Sequence, residues 1–109
     1  MLKETYCNQY KGWGEIIPEH AKIINVMYTY GSILAPSFKL LNDWKDKKIF
    51  WREYIEIFTK EISENPDAIK YMKEIKELSK TNDVYLVCAC HNNKKQCHRF
   101  ILIDMINKM

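Results

Sequence analysis

A chain of 109 residues with 47% hydrophobic, 28% charged and 13% aromatic side chains supports one core and has no length for a second, so residues 1–109 are expected to form a single domain. Lys and Arg number 17 against 14 Asp and Glu, a net charge of +3, which falls well short of the dense positive charge that binds a phosphate backbone by electrostatics alone. The opening MLKETYCNQY has no apolar run after a basic start, and no stretch approaches the length of a membrane span; this predicts an intracellular, cytoplasmic protein with no membrane partner.

In chain order, Leu2–Cys7 and Lys22–Tyr28 (KIINVMY) are short and rich in β-branched or aromatic residues, which predicts strands, the second more buried. The residues between them leave room for a parallel crossover with a short helix, and Gly12-Trp13-Gly14 reads as a turn. From Ser37 the pattern becomes helical. SFKLLNDWK opens on an N-cap serine after Pro36, and IFWREYIEIFTKEI repeats Phe50, Tyr54, Phe58 and Ile62 at steps of four. Asn65 as N-cap, with Pro66 in the first helical position, opens a helix whose Ala68, Met72, Ile75 and Leu78 share one face. Val84–Cys88 is the clearest strand, and CHRFILIDMINKM is a closing helix with Ile101, Leu102, Met105 and Ile106 on a broad buried face. Strands interleaved with helices in this way predict a small α/β domain with a mainly parallel sheet.

Chemistry collects in VYLVCACHNNKKQCHRFILI, which holds three of the four cysteines and two of the three histidines. Three neighbouring cysteines do not resemble a secreted disulfide framework; a reducing compartment keeps them as thiols or metal ligands. A strand that runs through a loop into a helix aims backbone N–H groups and the positive helix dipole at the C-terminal edge of the sheet, where ligands of open α/β sheets bind. Lys94, Lys95, His98 and Arg99 add positive charge there, where each cation costs roughly 0.3 to 1 kcal/mol. A carboxylate such as Glu15, Glu19 or Asp43 would offset it, or a bound anion. In the second case the partner is a phosphorylated small molecule, a nucleotide or nucleic acid. Arg99 and Lys95 would hold its phosphate, Ser37 and Tyr28 would line the pocket, and His98 would hydrogen-bond or transfer protons near neutral pH.

Cys97, at a helix start beside His98 and Arg99, has the surroundings of an activated nucleophile, and equally those of a small buried apolar residue. Cys88, Cys90, Cys97 and His98 (or His91) also supply enough soft ligands for tetrahedral zinc, although cysteines two apart on one strand face sit roughly 6.5 Å from each other, too far to share an ion. A third possibility is a non-enzymatic interaction domain whose surface is made by Trp13, Tyr30 and Trp44.

Two separated signatures resemble the domain of unknown function 488 (DUF488) family. Leu34-Ala35-Pro36-Ser37 precedes a helix, Trp51 and Tyr54 fit an aromatic W-x-x-Y helix, and Cys97-His98-Arg99 closes a strand-loop-helix unit, so the resemblance runs from about Lys22 to the end. It implies a small Rossmann-like three-layer domain with a short, mainly parallel sheet and about four helices, and it implies no settled activity or cofactor. Cys90 stands where many relatives carry an acidic residue, and Tyr28 or Thr29 where they tend to carry a basic one.

Overall fold

The computed structural model describes residues 1–8, 12–13, 18–28, 31–88 and 97–109. In order, these form β1 (Leu2–Asn8), β2 (Gly12–Trp13), β3 (Lys22–Asn25), α1 (Phe38–Lys45), α2 (Trp51–Ser63), α3 (Pro66–Ser79), β4 (Val84–Cys88) and α4 (His98–Asn107). The sheet order is β2-β1-β4-β3, with β1 and β3 both parallel to β4. This is the expected small α/β architecture. VYLVC is apolar at every position, and every residue of β4 is buried, as a central parallel strand covered on both faces requires.

The connection from β1 differs from expectation. Gly12–Trp13 is a short strand rather than a turn: it pairs antiparallel with the end of β1, Cys7 opposite Trp13 and Asn8 opposite Gly12. Residues 9–11 and 14–17, where the expected helix would fall, lie outside the described residues. β3 also ends at Asn25 instead of Tyr28. The Asn25 side chain explains the stop, since its Oδ1 accepts the Met27 N–H at 2.9 Å and turns the backbone, although the Val26 N–H still donates to the Val87 carbonyl at 2.9 Å.

The helices begin where local chemistry says they should. Ser37 Oγ accepts the Leu40 N–H at 3.2 Å, and Asn65 Oδ1 accepts from Asp67 and Ala68 at 3.1 and 3.3 Å, ahead of Pro66. In α2 the Glu53 carboxylate reaches back to the Phe50 N–H at 3.1 Å, which makes Phe50 the N-cap. Its ring is 80% exposed, so Tyr54, Phe58 and Ile62 alone form the buried row. α1 closes with the Lys48 N–H on the Asp43 carbonyl and the Lys47 N–H on that of Trp44, a Schellman pattern that places Lys47 at φ 58.

Leu2 and Glu4 lie beside Val84 and Leu86, and Ile24 lies beside Leu86 from the other side. Because strand side chains alternate, these residues and Cys88 share one face. There Val84, Leu86 and Cys88 join a single core cluster to which α1, α2, α3 and α4 all contribute. The described residues therefore make two layers, sheet and helices, and the expected third layer has no helix among them. Tyr85 and Val87 point to the opposite face and are also buried, at 1% exposure each.

Candidate functional site

β4 ends at Cys88 on the face that meets the helices, and α4 starts at His98 with Cys97 as its N-cap. Cys97 has extended backbone, φ −145 and ψ 147, and its side chain does not cap its own helix, unlike the oxygen of Ser37 or Asn65. The ligand atoms of Cys88, Cys97 and His98 all lie within 4.8 Å of one another, and the three residues are buried. Cys88 and Cys97 are both thiols. A tetrahedral zinc with 2.3 Å bonds to sulfur separates its ligand atoms by roughly 3.8 Å, so the cluster needs to contract by about 1 Å at most. Because the second sulfur comes from the helix start, the spacing along one strand does not enter.

His98 has a fixed role in this cluster. Its Nε2 lies 2.5 Å from the Val26 carbonyl, which can only accept, so Nε2 carries the hydrogen and donates it. Nδ1 keeps its lone pair and sits 3.6 Å from Cys97 Sγ. The Phe58 ring closes one side edge-on, with centroids 5.7 Å apart. Burial pushes the His98 pKa down to about 4, the Val26 hydrogen bond opposes the shift, and the Arg99 charge adds to it. The imidazole is thus neutral at physiological pH, which removes the near-neutral titration expected of a general acid or base and leaves the form that binds metals.

Arg99 is 3% exposed and donates from Nε to Glu4 Oε2 at 2.6 Å. Burial pulls its pKa down, but the Glu4 hydrogen bond and the charges that Cys97, Glu4 and Cys88 carry at the high pH where an arginine titrates outweigh this and leave the guanidinium above its ordinary value. The carboxylate that offsets the helix-start charge is therefore Glu4. Of the acids named from sequence, Asp43 pairs with Lys39 at 2.7 Å, Glu19 lies exposed in a turn, and Glu15 lies outside the described residues.

The remaining expected site residues fall elsewhere or beyond view. Ser37 is exposed; its hydroxyl donates to Glu61 Oε2 at 2.6 Å while it caps α1. Tyr28 is 39% exposed, with its ring 6.2 Å from that of Phe38. Trp44 packs, tilted, against the rings of Trp51 and Tyr54 at 5.2 and 5.8 Å, a structural setting for a residue expected on an interaction surface. Cys90, His91, Lys94, Lys95 and Tyr30, together with the Trp13 side chain, lie outside the described residues. Sequence reasoning missed Glu4 and the Val26 carbonyl. The only signal for Glu4 was an acid on the apolar side of a strand, at the same parity as Leu2; for a backbone carbonyl there was none.

Fold and site together define a small α/β protein with a buried cysteine–histidine cluster at the C-terminal edge of its sheet. The family model DUF488-N3a, described as the active DUF488-N3 subclade, matches residues 5–109, and the chain belongs to the DUF488 family. No curated protein and no solved structure matches it. Among the described residues, no helix is long and apolar enough to cross a membrane.

Proposed function

We propose that this protein is a metal-binding α/β module in which Cys88, Cys97 and His98 Nδ1 hold a soft divalent cation of the zinc class. One observation carries the reading: three soft ligand atoms lie within 4.8 Å of one another, and the histidine among them is neutral with its other nitrogen donating to a backbone carbonyl. That outer hydrogen bond is the usual companion of a metal-bound imidazole, because it fixes the tautomer and the ring orientation. Burial of all three ligands suits a closed ion that ties the end of β4 to the start of α4. Cys90 and His91, in the segment joining Cys88 to Cys97, supply the sequence candidates for a fourth ligand.

A phosphorylated ligand or nucleic acid held by Arg99 is the weaker reading, because Arg99 Nε is already given to Glu4 and the side chain is almost wholly buried. The test is metal content. Purified protein is expected to carry one equivalent of zinc per chain, and cobalt substitution to produce thiolate-to-metal charge-transfer absorption; Cys97→Ser loses both. Protein that stays fully folded without metal, and takes up neither ion after anaerobic reconstitution, ends this reading.

A further inference from the structure

We infer that Cys88 and Cys97 are also a redox couple: a hydroperoxide joins them as a disulfide, and that closure takes two of the three ligands from the metal site. The release of metal rests on the function proposed above, whereas the closure rests on the position of the two sulfurs alone.

The geometry that supports this is specific to the pair. The sulfurs belong to different elements, yet they lie within 4.8 Å of each other, so a bond of about 2 Å requires a combined movement of less than about 3 Å. Cys97 stands at the N-cap of α4 in extended backbone, outside the regular helix, so the two sulfurs are not both fixed on regular elements. Both residues are nearly closed to solvent, Cys88 at 7% and Cys97 at 4% exposure, which favours a small oxidant over a protein disulfide.

The chemistry balances with hydrogen peroxide, the simplest hydroperoxide, as the only co-reactant. The Cys97 thiolate attacks the peroxide oxygen; an S–O bond forms, the O–O bond breaks, and the departing hydroxide leaves as water with the thiol proton. The Cys88 sulfur then attacks Cys97 sulfur, an S–S bond forms, the S–O bond breaks, and a second water leaves. Each sulfur gives up one electron, and the peroxide is reduced to water.

The experiment uses the full chain carrying Cys7→Ser, with Cys90 retained. Zinc is measured first; hydrogen peroxide is then added to zinc-loaded and to chelator-treated protein. Expected in both samples is loss of two hydrogens by intact mass, reversed by dithiothreitol, with stoichiometric zinc release from the loaded one. Lys94 and Lys95 separate Cys97 from the tryptic peptide that holds both Cys88 and Cys90, so fragmentation of the cross-linked peptide on either side of Ala89 reads which of the two is joined to Cys97. Cross-linking of Cys97 to Cys90, or oxidation of either cysteine to a sulfinic acid without a cross-link, overturns the inference and leaves the metal reading standing. A Cys88–Cys97 cross-link in protein that never binds zinc ends the metal reading and leaves the couple.

Discussion

The two ends of the parallel sheet each hold a histidine beside a hydrogen-bonding oxygen, and they differ in nearly everything else. At the N-terminal end His20 Nε2 meets Asp83 Oδ2 at 3.2 Å, beside the Met1 amine at 3.7 Å, the histidine and amine well exposed and the carboxylate half-buried. The His20 hydrogen bond holds the Asp83 carboxyl below its usual range, but water and salt screen the whole arrangement. At the C-terminal end His98 and Arg99 are buried at 6% and 3% exposure, and each has a partner from a distant part of the chain. Similar groups are decoration in one place and commitment in the other, and desolvation makes the difference.

The sharpest way to separate the ends is metal. Zinc at a thousandfold excess over its Kd should stabilise the protein by about 4 kcal/mol, measured by thermal melts, and Cys97→Ser should abolish the gain while His20→Ala leaves it intact.

Acid provides the next contrast, in metal-free protein. The folded His98 pKa of about 4 lies below the unfolded value near 6.5, so between these limits the unfolded chain binds more protons and stability rises with pH. Its contribution is complete above pH 6.5 and is lost as the pH falls toward 4, about 3 kcal/mol in all. Urea unfolding at several pH values should show this slope, and His98→Gln should remove that part of it. A variant with the wild-type slope would show that His98 is hydrated and that the ends are alike.

Glu4→Gln should cost about 2 kcal/mol, less than for a fully buried pair because Glu4 is 31% exposed. Glu4→Leu combined with Arg99→Met should recover part of the loss, since both charges then disappear together. Asp83→Asn is the smallest of the four: at high salt its unfolding midpoint should match that of the parent, as expected for an exposed pair.

Much of the fold was legible because it is written in neighbours along the chain. Asn65-Pro66, Ser37 and the unbroken apolar run Val84–Cys88 carry their own instructions, and each element begins or ends where those residues say. β2 was missed because a two-residue strand has no periodicity to read, and Phe50 was misplaced because a step of four does not reveal where a helix starts. At the site, the Cys-His-Arg concentration was visible, and its meaning was not. Glu4 lies 95 positions from Arg99, and Val26 lies 72 from His98, so only tertiary structure states that the cation is neutralised and the imidazole held neutral.

The position of β4 has a consequence for assembly. This strand comes late in the chain, yet it sits between β1 and β3, which do not touch each other across the sheet. During synthesis the early strands must wait, unzipped, for the segment that inserts between them, and their loop-closure entropy is recovered only when it arrives. A nascent chain stalled before Val84 therefore offers two orphan strand edges to any chaperone or aggregating neighbour, a window of vulnerability that ends with a single insertion.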